Sequence, residues 1–263
     1  MPLYVNECFL KDIITDLISA ERHLNTLNHD IVTPDGDEGW RLEFYNHDAT
    51  DPELPLFNGE PLLVVPALAQ TRVKLYSMQV PGITEQFSVK FKGFLRPQDF
   101  SAEWDFSLVV VGRAKLWIDD ELVVDLWDNH KPGETFYNQG TEETFGRYYI
   151  EQGRQYKIEM LYNNISPLRG YAPAVLRAVR LGGAPVVDED EELKAAEKAA
   201  AEADVAVVVV GLNHDWESEG HDRTTLALPA RTNELVTRVL KANPRTIVVN
   251  QSVRTFLLAF CVK

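Results

Sequence analysis

The 263-residue sequence predicts two domains of different class, an all-β sandwich or barrel followed by part of an α/β domain with a parallel sheet. Hydrophobic residues recur with a period of two over residues 33–183, and no helical stretch interrupts them. A stretch rich in Ala and Glu comes next, and a continuous β-branched run follows it. We therefore divide the chain into an N-terminal segment 1–32, a β domain 33–183 and a partial α/β domain 184–263.

The β domain is predicted from its alternating strands and from the turns between them. In QFSVKFKGFL, the residues at 87, 89 and 91 are apolar and those between them are polar. AKLWIDDELVVDLW predicts a hairpin around residues 119–121, and RYYIEQGRQYKIEMLY repeats the pattern around residues 152–153. The glycines at 182–183 and the following Ala-Pro predict a short join to the next domain.

The α/β domain is predicted from a change of period. VVDEDEELKAAEKAAAEADV predicts a helix, and VAVVVVGL predicts a strand that is covered on both faces, as in a parallel sheet. LPARTNELVTRVLKANP then predicts a second helix that stops at Asn243-Pro244, and RTIVVNQS predicts a second buried strand. The apolar face of the first helix consists of Leu193, Ala196, Ala200 and Ala203.

The composition argues against several classes of partner and cofactor. The formal net charge is −14, which opposes a phosphate backbone, so we expect no nucleic-acid partner. Cys8 and Cys261 lie near opposite ends and the six histidines show no ligand spacing, so we expect no metal and no cofactor. The N-terminus lacks a signal-peptide pattern and no stretch reaches the ~20 apolar residues of a membrane helix. We therefore expect a cytoplasmic location for the sequence as written; its oligomeric state stays open.

The sequence WESEGHDR, residues 216–223, comes directly after the apolar run and carries the strongest chemical signal. Ligands of open α/β sheets bind at the carboxyl ends of strands, which favours this loop over other acidic loops. A glycosidase needs a carboxylic acid beside the leaving oxygen and a second carboxylate at the anomeric carbon. Asp222 and Arg223 can fix such a loop through a charge-assisted hydrogen bond. The alternative is an ordinary solvated loop in which the Asp-Arg pair braces local structure.

Residues 203–252 resemble the C-terminal α/β domain of glycoside hydrolase family 3 β-glucosidases. The resemblance is carried by W-E-S-E-G-x-D-R-x-x-L-x-L-P, and it implies that the Glu directly before the Gly is the general acid/base. That residue is Glu219; Glu217 is the neighbouring carboxylate. His221 stands where the family often has Tyr. The resemblance also implies a substrate, a β-glucoside or oligosaccharide.

The β half is similar to a PA14 domain, on the stretches GWRLEFYN, FSVKFKGFLRPQDFSAEWDFSLVVVGRAKLWIDDELVVDLW and GRQYKIEMLYNN. Certain family 3 β-glucosidases carry such a domain just ahead of the α/β segment. In some PA14 relatives an adjacent pair of aspartates binds calcium and a sugar, but from the residues alone Asp119-Asp120 is better explained as a hairpin turn. Aromatic residues that offer a stacking surface for a sugar are Trp117, Trp127, Phe136 and Tyr137. We prefer Trp127, at the start of a polar loop, and expect Trp117 to be core.

The family takes its nucleophile, an Asp, from an N-terminal (β/α)8 barrel of ~250 residues, which this sequence does not contain. We therefore expect a truncated form of a β-glucosidase that does not hydrolyse β-glucosides alone. Two alternatives stay open. The β domain is a carbohydrate-binding or adhesion module without catalysis, or the sequence is a clipped gene model.

Overall fold

The computed structural model of the chain describes residues 23–46, 57, 59–75, 80–170, 172–212, 216 and 225–252. These residues form mostly β-sheet with few helices, as the sequence predicts. The chain divides into two compact units. We call Leu24–Val186 the β unit, and we call the described residues from Val187 onward the α/β unit.

The described residues of the β unit form thirteen strands, and each pairing among these strands is antiparallel. In chain order the strands are β1 (Ile31–Val32), β2 (Trp40–Asn46), β3 (Leu63–Leu68), β4 (Arg72–Lys74), β5 (Phe87–Leu95), β6 (Ala102–Val111), β7 (Arg113–Ile118), β8 (Glu121–Leu126), β9 (Thr144–Ile150), β10 (Tyr156–Asn163), β11 (Ile165–Ser166), β12 (Ala172–Pro173) and β13 (Ala178–Pro185). A four-residue helical turn, α1 (Thr135–Asn138), precedes β9, and a 3-10 turn, Pro167–Arg169, separates β11 from β12.

Two sheets of the β unit share one core. The larger sheet has the order β3-β2-β5-β10-β7-β8, with β1 also paired to β5, and the smaller has the order β4-β13-β6-β9. Phe91 and Ile158 of the larger sheet and Phe106 and Leu181 of the smaller sheet are completely buried in the same hydrophobic cluster. Alternate residues of the longer strands, such as Phe106 and Leu108 of β6, point into this cluster, which is the arrangement of a β-sandwich.

The predicted hairpin at Asp119-Asp120 is confirmed. Ile118 at the end of β7 pairs with Glu121 at the start of β8, which leaves a two-residue loop. Asp119 and Asp120 have φ of 46° and 70°, as a type I′ turn requires at both central positions. Asp tolerates this region better than most residues, so the turn chemistry explains the pair.

The strands around Gln152-Gly153 do not form a hairpin with each other. β9 pairs with β6 in the smaller sheet, whereas β10 pairs with β5 and β7 in the larger sheet. The connection therefore crosses from one sheet to the other. Alternation reports which residues face the core, but it does not report the partner strand, so this interpretation of the sequence was wrong.

The predicted join at 182–185 is also wrong, because these residues belong to β13 and pair with β6 over residues 104–107. Their small size has a different cause. A Cβ on Gly182 would lie 2.8 Å from the Leu24 carbonyl oxygen, and one on Gly183 would lie 2.9 Å from the Leu27 side chain. The glycines therefore allow the segment that begins at Leu24 to pack against the strand.

The α/β unit follows the predicted order of helix, strand, helix and strand. Its elements are α2 (Glu189–Glu202), β14 (Ala206–Gly211), α3 (Thr232–Ala242) and β15 (Thr246–Gln251). Asp188 caps α2, since its carboxylate accepts hydrogen bonds from the backbone N–H groups of Asp190 and Glu191 at 2.9 and 3.3 Å. β14 and β15 pair in parallel, as predicted. Ala203 does not join the apolar face of α2, because it is the extended residue that ends the helix.

The helices cover one face of the strand pair. Val208 and Val210 of β14 pack with Val236 and Val239 of α3 in a second core. On the opposite face, Val207 is 59% exposed and Val209 is 62% exposed. The β-branched run of β14 is typical of a strand in a parallel sheet that is covered on both faces, and the described residues cover one of these faces. We call this open surface the valine face; it consists of Val207, Val209, Ile247 and Val249.

Candidate active site at the ends of two parallel strands

The ends of β14 and β15 are held together where the predicted acid/base loop begins. Gly211 is in register with Gln251, and the Leu212 N–H donates to the Gln251 carbonyl at 3.0 Å. A Cβ on Gly211 would lie 2.0 Å from that carbonyl oxygen, so only glycine allows the backbones to approach this closely. The carboxyl ends of the two strands therefore form a fixed edge, from which the segment 213–224 leaves.

The far end of the loop is fixed by a buried leucine and by the start of α3. Leu228 is buried in the core of the α/β unit, and the Thr232 hydroxyl donates to the Pro229 carbonyl at 2.6 Å. Leu228 and Pro229 are the last two residues of the sequence L-x-L-P in the motif, and Thr232 follows it. The segment that carries the predicted carboxylates is thus bounded on both sides by residues in defined positions.

Arg231 ties the first turn of α3 to the first turn of α2. Its guanidinium lies 2.7 Å from the Asp190 carboxylate and 2.9 Å from Glu234. Arg238 also bonds Glu234, at 2.7 Å. Hydrogen bonds from Arg231 and then Arg238 lower the pKa of Glu234 to about 2. These ion pairs connect the starts of α2 and α3, so their charged groups have a structural role.

A second tie is the buried side chain of Asn243. Its amide donates to the Ala200 and Ala203 carbonyls at 2.9 Å each, and its oxygen accepts from the Arg245 N–H at 2.8 Å. One side chain therefore satisfies carbonyls at the end of α2 and fixes the entry into β15.

The predicted catalytic and loop-bracing residues, Glu219, Asp222 and Arg223, lie outside the described residues, as do Glu217 and His221. Trp216, the first residue of the motif, is described and half-buried. The roles assigned to these residues from the sequence stay predictions. The structure describes the residues on either side of the loop, namely the end of β14 and the segment from Leu228 to the start of α3.

The aromatic candidates of the β unit separate by position. Phe136 is 4% exposed and belongs to a small core with Val109 and Val111, so it offers no stacking surface. Trp117 was expected in the core, but it lies on the outer face of β7, because Leu116 and Ile118 occupy the inner positions. Tyr137 is 67% exposed.

Trp127 is half-buried, and two cations lie beside its ring. The Arg113 guanidinium carbon and the Lys115 ammonium are each 5.8 Å from the ring centroid. Such contacts stabilise the ring in place. They also occupy space that a stacked sugar would need, so sugar binding by Trp127 stays a prediction.

The carboxylates of the Asp119-Asp120 turn are used locally. Arg154 lies 2.6 Å from Asp119, the Lys157 N–H donates to Asp119 at 2.8 Å, and the Lys157 ammonium lies 2.8 Å from Asp120. This network supports the turn explanation over a calcium site. Within the described part of the chain, no group of three or more His, Cys, Asp or Glu side chains is arranged to hold a metal ion.

Sequence reasoning missed a groove on the β unit. Its lining includes Tyr148, Tyr149 and Tyr156, together with Glu103 of β6 and Glu121 of β8. The only sequence signal is the tyrosine-rich run RYYIEQGRQY, whose residues alternate in the way of ordinary strands.

Among the described helices, none is long and apolar enough to cross a membrane.

Comparison with known families identifies the chain. Residues 53–261 match the model of the glycosyl hydrolase family 3 C-terminal domain. The chain belongs to glycosyl hydrolase family 3. The match begins inside the β unit and continues through the α/β unit, and it includes the position of Glu219.

The relatives in this family are β-glucosidases. The chain is 37% identical over 217 residues to probable β-glucosidase H of Aspergillus clavatus, covering 80% of this chain and 25% of that protein. It is 38% identical over 167 residues to a β-glucosidase of Kluyveromyces marxianus, covering 63% of this chain and 20% of that protein. A crystal structure of the Kluyveromyces marxianus β-glucosidase with glucose aligns at a TM-score of 0.79 and 29% identity over 91% of this chain and 29% of that one. The chain spans about a quarter of the length of the curated relatives it matches.

Proposed function

We propose that this chain supplies the general acid/base carboxylate of a family 3 β-glucosidase, and that Glu219 carries it. One observation supports this most. In the sequence, the segment 213–224 follows Leu212 at the end of β14 and falls inside the region matched to the family, and the paired ends of β14 and β15 form the carboxyl edge of the sheet. That edge is where open α/β sheets bind ligands. The relatives are named as β-glucosidases, which supports a β-glucoside as the substrate class, and we propose that the bond cleaved is that of a terminal β-D-glucosyl residue at the non-reducing end.

Glu219 has two tasks in this proposal. Retaining hydrolysis uses two carboxyl groups about 5–5.5 Å apart. In the first step, Glu219 gives its proton to the glycosidic oxygen while an Asp nucleophile bonds to the anomeric carbon and the leaving group departs. In the second step, Glu219 takes a proton from water, and the resulting attack on the anomeric carbon releases glucose and frees the Asp. Arg223 holds Asp222 through a charge-assisted hydrogen bond and so keeps the loop in shape.

We propose that the nucleophile comes from a barrel in a longer protein, of which this chain is one segment. The valine face supports this proposal. Strands of parallel sheets are normally covered on both faces, whereas Val207 and Val209 are more than half exposed. The covering layer and the second carboxylate then come from the same longer chain. We expect the 263-residue chain by itself to be inactive, because one carboxylate cannot complete the reaction.

We further propose that the β unit is a PA14-type domain. The support is its two-sheet sandwich together with the sequence resemblance given above. This gives the second candidate function, binding of a carbohydrate without hydrolysis. The observation that favours it is the tyrosine-lined groove, which is made entirely of residues from the β unit.

The acid/base assignment is tested in a chimera. Residues 53–252 of this chain replace the matching segment of β-glucosidase H of Aspergillus clavatus, and hydrolysis of cellobiose and of 2,4-dinitrophenyl β-D-glucoside is measured. We expect Glu219→Gln to lower kcat for cellobiose by ~10²–10⁴-fold, because its leaving group needs a proton. Cleavage of the dinitrophenyl bond needs no acid, so its first step should persist. Added azide should restore turnover of this substrate, because azide attacks without a base.

Glu217→Gln is the matched control, since it removes a carboxylate two residues away in the same loop. Its kcat should stay within about tenfold of the unmodified chimera, the size of change expected without loss of a catalytic proton transfer. If Glu217→Gln reproduces both the loss on cellobiose and the azide rescue, while Glu219→Gln does not, the assignment of the acid/base to Glu219 is wrong.

A further inference from the structure

The groove on the β unit has a volume of about 350 Å³ and lies where the start of β6, the start of β8 and the end of β9 meet. Its lining includes three tyrosines and three glutamates: Tyr148, Tyr149, Tyr156, Glu103, Glu121 and Glu151. Arg147 and Arg154 complete the wall. Pockets for small ligands have volumes of ~300–1,000 Å³, so the groove is large enough for one or two sugar rings.

The wall is held rigid by contacts within the β unit. Arg147 makes two hydrogen bonds to Asp105, at 2.8 and 3.0 Å. The Arg154 guanidinium lies 4.4 Å from the ring centroid of Tyr156 and is bonded to Asp119. The hydroxyl of Tyr156 accepts from the Glu151 N–H at 2.8 Å. Rigid side chains lose little entropy when a ligand binds, which favours binding.

Two carboxylates and one aromatic ring remain open to a ligand. The ion pairs of the two arginines go to Asp105, Asp119 and Glu151, which leaves the carboxylates of Glu103 and Glu121 at the groove. Glu103 is in register with Tyr149 on the neighbouring strand, so the carboxylate and the ring lie side by side on the same face. Tyr149 is 50% exposed.

Tyr148 lines the groove and packs edge-on against the buried ring of Tyr156, with 5.8 Å between the ring centroids. Burial, and then the nearby charges of Asp119 and Glu121, raise the pKa of Tyr148. Its hydroxyl therefore keeps its proton at neutral pH and beyond.

A sugar ring matches these three features. One face of the ring consists of C–H groups, which pack on an aromatic ring, and its hydroxyls donate to carboxylates and accept from a tyrosine. A cation fits less well, because Arg147 and Arg154 stand in the same wall. We propose that this groove is a saccharide-binding site, separate in chain position from the Glu219 loop, which holds a neutral mono- or disaccharide without cleaving it. The choice of a sugar as ligand rests on the proposed carbohydrate function; the site itself does not require Glu219.

The test is a titration of the full 263-residue chain with D-glucose and with cellobiose, followed by calorimetry and by saturation transfer from protein to sugar protons. We expect saturable binding of at least one sugar. Tyr149→Ala should weaken it tenfold or more, which corresponds to about 1.4 kcal/mol. Glu103→Gln keeps the shape of the side chain and removes its charge, and it should weaken binding several-fold. It provides the test if Tyr149→Ala alters folding.

Phe145→Ala is the matched control. Phe145 lies four residues before Tyr149 on the same strand and is 55% exposed, but it does not line the groove. Its affinity should equal that of the unmodified chain. Equal loss from Phe145→Ala and Tyr149→Ala would overturn the proposal, as would saturation by tetramethylammonium but not by either sugar, or no saturation by either sugar at millimolar concentration.

The two proposals fail separately. Phe145→Ala lies outside both sites, so it should leave cellobiose hydrolysis by the chimera and sugar binding by the 263-residue chain unchanged. An inactive chimera with a sugar-binding groove contradicts only the acid/base proposal. Binding that Glu219→Gln abolishes and Tyr149→Ala does not affect contradicts only the groove.

Discussion

The β unit and the α/β unit differ in how completely the apolar residues of their strands are covered. In the β unit, each of the two large sheets covers the inner face of the other, and Phe91 and Phe106 are completely buried between them. In the α/β unit, two helices cover one face of a strand pair, and the valine face is open. The described residues of the β unit therefore cover the inner faces of both large sheets. Those of the α/β unit cover one of the two faces that a parallel sheet normally buries.

The largest expected effect is on folding when each unit is produced as a separate polypeptide. Residues 24–186 should fold alone, because their core is closed. Residues 187–252 should not, because a piece of this size with one open apolar face buries too little surface. Circular dichroism during heating should show a cooperative transition for the first and none for the second. A cooperative transition in 187–252 would contradict the comparison.

A smaller effect is expected from single residues in the two environments. Phe91 is completely buried in the β unit, and Phe91→Ala should lower the free energy of unfolding by about 3–5 kcal/mol. Val209 is 62% exposed, and Val209→Ala should change it by less than about 0.5 kcal/mol. Urea unfolding of the full chain measures both. A loss at Val209 as large as that at Phe91 would mean that the valine face is already covered in solution.

Asn243 tests how far polar contacts compensate for the thin core of the α/β unit. Asn243→Ala removes three hydrogen bonds of a buried amide and should cost about 1–3 kcal/mol of that unit's stability. The exposed residue Lys241 on the preceding helix is the control, and Lys241→Ala should change stability by less than about 0.5 kcal/mol. Hydrogen exchange of the last amides of α2 is the measurement. Equal exchange in the two variants would show that the amide does not hold the helix.

The smallest effect is a pH dependence from Glu234. Its pKa is lowered from 4.5 to about 2 in the folded chain, so the folded state binds fewer protons than the unfolded state between these values. The carboxylate therefore contributes stability above pH 4.5 that is lost as the pH falls towards about 2. Glu234→Gln should be less stable than the unmodified chain at neutral pH, and the difference should shrink over that range. A difference that stays constant with pH would show that the ion pairs with Arg231 and Arg238 do not stabilise the fold.

Local chemistry in the sequence predicted what depends on neighbouring residues. The Asp119-Asp120 hairpin, the helices α2 and α3 and the parallel pairing of β14 with β15 are examples. The sequence was less informative about which strands pair with each other. The strands flanking Gln152-Gly153 belong to different sheets, and Gly182 is a strand residue that makes room for Leu24, a contact across more than 150 positions of the chain.

The candidate sites show the same division. Glu219 could be proposed from a short motif because the whole acid/base signature lies within a few residues. The groove could not be predicted, since Glu103, Glu121 and Tyr149 come from three strands and only folding brings them together. The open valine face has a related explanation. A β-branched run indicates that both faces of β14 need covering, but it does not say whether the covering residues are within the same sequence.

The two-stranded sheet has a consequence for the time course of folding. The β unit is complete once Val186 has been made, and its strands can pair while synthesis continues at about 5–20 residues per second. β14 and β15 follow later, and among the described residues each has one edge without a partner strand in addition to the valine face. While it is uncovered, such a pair is a template for strands of other molecules. Chaperone binding during that interval should therefore concentrate on β14 and β15, while the finished β unit no longer requires it.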